Sequence, residues 1–182
     1  LVYPCFLTRS ELAEVLTAPQ EAPVATDRAL SNTEMARRAE AGQTPAWRLR
    51  TEMALQLVGH VTWHDCRKGI DLPVDMTAHG DVVIARRDIG TSYHLSVVVD
   101  DALDGISLVT RGMDLETSTH VHRLLQALLD LPTPAYMHHD LIRDDSGNRL
   151  AKRNDAVSIA QLREDGLSPT DILSQMPPLP QK

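Results

Sequence analysis

Residues 106–142 read ISLVTRGMDLETSTHVHRLLQALLDLPTPAYMHHDLI. Ile106 to Thr110 is a β-branched run that follows the turn pair Asp104-Gly105, and it predicts a strand. Val121, Leu124, Leu125, Leu128 and Leu129 then recur at helical spacing, with Thr117 or Ser118 at the start. Pro132 and Pro134 close that helix, and Ala135 to Ile142 resumes an extended pattern. Strand, helix and strand within about 35 residues make a βαβ crossover, which belongs to a parallel sheet and gives an α/β fold class.

Upstream, Asp81 to Arg87 and Leu95 to Val99 are two further β-branched runs, the second stopped by Asp100 and Asp101, and both predict strands. Between Trp47 and Trp63 the alternation of Trp47, Leu49, Leu55, Leu57, Val61 and Trp63 suggests short strands. The first third is otherwise helical and loop-rich. A short helix fits Glu11, Leu12, Val15 and Leu16 with Thr8 or Ser10 as N-cap, broken by Pro19 and Pro23. A second fits Asn32 to Ala41, with Ser31 as cap, Glu34 three positions on and Gly42 past the end. The pattern changes near Asp71-Leu72-Pro73, which suggests one region over 1–76 and another over 77–182. A last helix is predicted around Ile159 to Glu164, before a frayed end with Pro177, Pro178 and Pro180.

A formal charge of −7 excludes a generally basic nucleic-acid coat, while leaving room for a local basic surface. Two cysteines, Cys5 and Cys66, exclude a disulfide framework and a four-cysteine zinc site within the chain. Their scarcity fits a reducing, cytoplasmic setting, and no apolar run reaches the roughly 18 residues of a membrane span. Aromatic residues are 3% of the chain, so Leu, Val, Ile and Ala must build the core. The chain begins with Leu1 rather than Met, and the expectation is that a segment precedes it.

Three groups of residues offer chemistry. Arg149-Leu150-Ala151-Lys152-Arg153 follows the turn signal Asp144-Asp145-Ser146-Gly147-Asn148. Its cations suit charge developing on a phosphate, although spacing alone favours a solvated charge run. Tyr93 and Arg111 are expected at a strand start and a strand end. Ligands of open α/β sheets bind beyond the carboxyl ends of strands, where Arg111 would clamp a carboxylate and Asp114 would pair with an amine. The plainer alternative has Tyr93 packing and Arg111 capping a neighbour. The eight histidines do not form a zincin pair: His120 and His122 point apart on a helix, and His138 and His139 face opposite sides of a strand. Structural or surface roles suit them better than metal ligation. Neither a Gly-rich phosphate loop nor a Gly-x-Ser-x-Gly elbow is present.

Thr91-Ser92-Tyr93-His94-Leu95-Ser96-Val97-Val98-Val99-Asp100-Asp101, Gly105-Ile106, Thr110-Arg111-Gly112-Met113-Asp114, Tyr136-Met137-His138 and Arg149-Leu150-Ala151-Lys152-Arg153 occur in an order that resembles the class I glutamyl-tRNA synthetase family. The likeness spans roughly Gly80 to Pro169, and the last stretch is similar to the family's KMSKS-type loop. The opening Tyr3-Pro4-Cys5-Phe6-Leu7-Thr8-Arg9, and an end soon after that loop, resemble the short branch without an anticodon-binding domain. The resemblance implies the second half of a Rossmann-like class I aminoacyl-tRNA synthetase catalytic domain with an inserted helical, loop-rich subdomain. It implies activation of glutamate by ATP and Mg²⁺, then transfer to the queuosine base of tRNA(Asp). Tyr93 and Arg111 match glutamate-recognising positions. Lys152 matches the lysine that stabilises the ATP phosphates, Arg149 replaces the first lysine with its charge kept, and Ala151 replaces a serine hydroxyl.

Two departures qualify that implication. The family's insert often binds zinc through Cys-x-Cys, a Tyr and a further Cys. Here Cys5 stands as a relic, Leu7 holds the second cysteine position, and Pro23 and Asp27 align with the later ligands, so no zinc is expected. The HIGH-type half of the family's nucleotide fold lies N-terminal to this region, so the chain alone is expected to be incomplete and inactive. A piece of a conventional glutamyl-tRNA synthetase, or a non-catalytic ligand- or tRNA-binding remnant, are the alternatives.

Overall fold

A computed structural model of the chain describes residues 1–8, 10–12, 30–77, 79–143 and 157–174. In chain order the elements are β1 (Val2–Cys5), α1 (Asn32–Glu40), β2 (Ala46–Leu49), α2 (Thr51–Val58), β3 (Thr62–Asp65), β4 (Ile70–Pro73), β5 (Val82–Ala85), α3 (Tyr93–Leu103), β6 (Leu108–Gly112), a 3-10 turn (Met113–Leu115), α4 (Glu116–Leu128), β7 (Ala135–His139), α5 (Ile159–Glu164) and α6 (Pro169–Ser174). The crossover is β6–α4–β7, with Leu108 opposite Ala135 and Gly112 opposite His139 in parallel register. β7 also runs parallel to β3, which pairs antiparallel with β4, giving the order β4-β3-β7-β6. A second, antiparallel sheet has the order β1-β2-β5.

One core joins the two sheets. Leu49 and Val82 come from the second sheet, Trp63 and Tyr136 from the first, and Ala54, Val98, Val121, Leu124 and Leu125 from the helices between. Trp63 meets Tyr136 edge-on with ring centroids 5.8 Å apart, and aliphatic side chains fill most of the remaining volume. No helix among the described residues is long and apolar enough to cross a membrane.

Two expected strands are helices. Leu95 to Val99 lies inside α3, because Ser92 caps that helix by accepting from Leu95 N at 3.3 Å and the valines pack one face, Val98 being buried. Capping and burial here outweigh the β-propensity of a valine run. Tyr93 is consequently the first residue of a helix rather than of a strand. Leu55 and Leu57 lie in α2, whose cap is supplied from far along the chain: Asp81 Oδ1 accepts from Thr51 N at 3.2 Å, and its other oxygen accepts from Tyr3 Oη at 2.7 Å. Gly59 ends that helix at φ 71°.

β2, β3, β5, β6, β7, α1, α4 and α5 follow the sequence reading, several with shifted ends, the crossover's first strand beginning at Leu108 rather than Ile106, whereas β1, β4 and α6 are absent from that reading. Ser31 caps α1 through Glu34 N. Thr8 and Glu11 form a reciprocal capping box, Thr8 Oγ1 accepting from Glu11 N and Glu11 Oε2 from Thr8 N. The rest of that first predicted helix, and the proline-rich end, lie outside the described residues.

β6 is an edge strand, and Leu103, Ile106 and Leu108 beside it are exposed by 80%, 38% and 47%. An open apolar edge is a template for pairing between copies. Sedimentation velocity is expected to show self-association that grows with concentration and recedes in Leu108→Lys. A monodisperse monomer at high concentration contradicts this.

Candidate functional site

Arg111 and His138 are direct cross-strand partners near the carboxyl ends of β6 and β7, so their side chains share one face of the sheet. α4 covers that face and turns Thr119, His122 and Gln126 toward it, at i, i+3 and i+7. All of these side chains are buried, Arg111 being 8% exposed. Arg111 donates through Nη1 to His122 Nδ1 at 3.0 Å, through Nη2 to Thr119 Oγ1, and through Nε to His138 Nε2 at 3.4 Å. Its guanidinium also lies over the Tyr136 ring at 5.2 Å. Tyr136 Oη in turn accepts from Gln126 Nε2 at 2.9 Å.

A guanidinium has only donors, and this fixes the direction of every bond around it. His122 accepts at Nδ1, so its proton is on Nε2, which donates to His94 Nδ1 at 3.0 Å. His94 therefore carries its own proton on Nε2. On the other side, His138 Nε2 accepts from Arg111 and from the Thr119 hydroxyl at 3.0 Å, which leaves the proton on a buried Nδ1 with no partner among the described residues.

Three of the five Arg111 N–H groups are thus engaged, all by neutral acceptors. No carboxylate stands within ion-pair distance of Arg111 among the described residues. Asp101 interacts with it at longer range and is itself pushed up by burial. A buried cation without a counter-ion is costly, so the arrangement is one that a bound anion would complete.

The histidines stay neutral for a common reason. Burial, reinforced by the Arg111 charge, holds His122 down to about 3 and lowers His138. His94 is lowered by burial first, then by His79 and Arg111.

Tyr93 and Arg111 meet around His122: the Tyr93 ring packs on it at 5.6 Å and remains half exposed. Asp114 sits in the 3-10 turn after β6, folded against Gly112. A Cβ on Gly112 would stand 2.5 Å from Asp114 Oδ1 and 2.8 Å from Leu141 Cδ2. Gly112→Ala is therefore expected to cost about 1–3 kcal/mol in urea unfolding, the usual effect of overpacking.

Lys152 and Arg149 lie outside the described residues, as do Pro23 and Asp27. Cys5 and Leu7 are buried with Tyr3 in a small apolar cluster. Among the described residues no group of three or more His, Cys, Asp or Glu converges as metal ligands. His120 and His122 do point apart, His120 accepting from Asp75 N at 3.0 Å while packing on Trp63. The sequence reading had no role for Thr119, His122, His94 and His138 around Arg111. The signal available was a polar Thr-x-x-His-x-x-x-Gln stripe on the buried face of an otherwise apolar helix.

The fold and site define an α/β domain with a buried cation near its strand ends. The model of the family "tRNA synthetases class I (E and Q), catalytic domain" matches residues 1–177, and the chain belongs to that family. It is 45% identical, over 94% of its length, to a glutamyl-Q tRNA(Asp) synthetase of Rhodobacter capsulatus, of which it covers 65%. A protein of the same name from Nocardia farcinica is 40% identical over 96% of the chain and is covered to 54%. A glutamate–tRNA ligase 2 of Alkalilimnicola ehrlichii is 37% identical over 96% of the chain and is covered to 36%. The chain thus spans less than two thirds of these relatives. In fold it is similar to the glutamate-tRNA synthetase structure of Elizabethkingia anophelis, with a TM-score of 0.59 at 22% identity, covering 84% of this chain and 32% of that one.

Proposed function

We propose that this chain is the glutamate-recognising part of a synthetase that activates glutamate with ATP and passes it to the queuosine base of tRNA(Asp). The observation that carries the reading is Arg111, a buried guanidinium oriented by three neutral acceptors, with no carboxylate in ion-pair distance among the described residues. It would hold the carboxylate of glutamate that does not react. A clamp on the reacting carboxylate would withdraw the electron density its attack requires, whereas a clamp on the other one selects glutamate over the neutral amide of glutamine. Tyr93, packed on the same His122, would border that substrate.

The activation step is in-line attack of a carboxylate oxygen on the α-phosphorus of ATP, with pyrophosphate leaving. ATP, accompanied by Mg²⁺, supplies the electrophile. Lys152 and Arg149 would neutralise the phosphates, by their match to the signature loop. In this reading residues 1–76 are the insert and 77–182 the second half of the catalytic domain. That division is one of ancestry, since β2 pairs with β5 and β3 with β7 across it.

The names of the two glutamyl-Q relatives favour tRNA(Asp), while the Alkalilimnicola relative keeps a conventional glutamyl-tRNA ligase as the second reading. Calorimetry of glutamate against glutamine on this chain tests the amino-acid assignment. Glutamate transfer to tRNA(Asp) against tRNA(Glu), assayed in the full reading frame, tests the acceptor. Equal binding of glutamate and glutamine refutes the first, and transfer confined to tRNA(Glu) the second.

A further inference from the structure

Thr119 is fully buried on α4, and its hydroxyl reaches across to the sheet. Its Oγ1 accepts from Arg111 Nη2 and donates to His138 Nε2 at 3.0 Å. His138 Nε2 also accepts from Arg111 Nε at 3.4 Å, so Thr119, His138 and the Nε–Nη2 edge of the guanidinium close a ring of three hydrogen bonds. We propose that Thr119 sets the selectivity of this site for a carboxylate over the matching carboxamide, as a positioning residue that acts through Arg111 rather than by touching the ligand. The inference rests on the reading of Arg111 as the glutamate clamp.

The ring fixes the guanidinium plane before any ligand arrives. Nε and Nη2 are tied to two side chains that are bonded to each other, and Nη1 is held by His122, one turn further along α4, at 3.0 Å. An arginine side chain carries much rotamer freedom, and settling it in the free protein removes that cost from binding. Each guanidinium nitrogen spends one hydrogen in this way, which leaves one N–H on each η nitrogen, as many donors as a carboxylate has oxygens. The ring also decides what stands beside those donors. Arg111 donates to both Thr119 and His138, so the single Thr119 proton points at His138 Nε2. The one acceptor nitrogen of His138 is therefore taken twice over, and that of His122 once. A carboxylate needs donors only and is satisfied. A carboxamide brings two hydrogens of its own, finds these acceptors occupied and sets its NH₂ against an η N–H, the kind of polar mismatch that makes a hydrogen-bonding site reject a close analogue. Without the hydroxyl, His138 Nε2 keeps only the 3.4 Å bond and opens to an amide hydrogen.

Glutamate and glutamine are titrated by calorimetry into the 182-residue chain and into its Thr119→Val and Thr119→Ser variants. Thr119→Val is expected to weaken glutamate about tenfold, the effect of one hydrogen bond to a charged group. Glutamine should change less than about threefold, so the ratio of the two affinities falls. Thr119→Ser keeps the hydroxyl and should restore both the affinity and the ratio. A role in packing alone would lower the urea midpoint of Thr119→Val and leave the ratio where it was. A second measurement needs no variant to fold: in ¹H–¹⁵N spectra of the ligand-free parent, the Arg111 Nη hydrogens are expected to be resolved, the mark of blocked rotation. Averaged Nη resonances in the free parent, an unchanged ratio in Thr119→Val, or a serine variant no better than the valine one would each overturn the proposal. The two readings fail separately. Normal glutamate binding in Arg111→Met removes the clamp itself, whereas binding lost there with an unchanged ratio in Thr119→Val removes only the role of Thr119.

Discussion

In Arg111→Met, affinity for glutamate is expected to fall by about a hundredfold or more while the chain stays folded with nearly unchanged stability. Loss of a desolvated partner in a charge pair costs about 2–5 kcal/mol of binding, which corresponds to that fold-change at its middle. Stability responds differently because nothing in the described residues compensates the buried guanidinium. Exchanging such a cation for an apolar side chain of similar volume is often neutral or stabilising, by about 1 kcal/mol or more. Thr119 and His138 retain their bond to each other after the exchange and His122 its bond to His94, while the buried His122 Nδ1 loses its donor at a cost of about 1 kcal/mol, which offsets that gain. The preference for glutamate over glutamine should vanish with the charge. Arg111→Lys should recover little, since a point-like ammonium cannot reach His122, Thr119 and His138 together as the planar fork does. Calorimetry and urea unfolding on the same preparations decide the matter. If Arg111→Met instead lost 3–5 kcal/mol of stability and bound glutamate normally, Arg111 would be a structural residue and the functional reading would fall.

The βαβ crossover was legible because its signals are local: a β-branched run, a five-leucine-type helical period, two prolines, a second strand. The α2 helix was not, because the carboxylate that accepts from its first N–H belongs to Asp81, thirty positions downstream of Thr51 in sequence. α3 was misread as a strand because three consecutive valines carry strong β-propensity, while the evidence for a helix is one serine and the burial of Val98. Arg111 could be picked out as a strand-end cation from its position after a β-branched run. Its meaning could not, since which groups meet its guanidinium, neutral ones alone among the described residues, is decided by β6, β7 and α4 packing together. The histidines show the same limit. Their neutrality is imposed by burial and by Arg111, and a ring nitrogen's role as donor or acceptor is set by whatever stands opposite it.

That neutrality predicts acid sensitivity at mild pH. His122 is held at about 3 in the folded chain against 6.5 when unperturbed, by burial first and then by Arg111 and His94. Above about pH 6.5 neither the folded nor the unfolded chain protonates this ring, and it costs nothing. As pH falls from 6.5 toward 3, the unfolded chain takes up a proton that the folded chain refuses, so the folded state loses about 1.4 kcal/mol per pH unit. Between pH 7 and pH 5 the loss from His122 alone is therefore about 2 kcal/mol. His94, His120 and His138 are lowered in the same direction and add to it. Among the described residues the groups in contact with the His122 ring are Arg111 from β6 and Tyr93 and His94 from α3, and none supplies a negative charge to hold a proton there. Asp65, Asp75 and Asp140, lowered by their hydrogen bonds and ion pairs, withdraw their contributions only further down, below the carboxylate range. In His122→Gln the amide oxygen accepts from Arg111 and the amide nitrogen donates to His94, so the geometry persists without a titrating group. Its urea midpoint should fall less than the parent's between pH 7 and pH 5, by the equivalent of about 2 kcal/mol. His122→Leu should also flatten the profile, but at the cost of leaving Arg111 Nη1 and His94 Nδ1 unpaired, about 1–3 kcal/mol at every pH. Parallel profiles for parent and His122→Gln would show that His122 protonates in the folded chain, and the direction of its bond to Arg111 would then have to be abandoned.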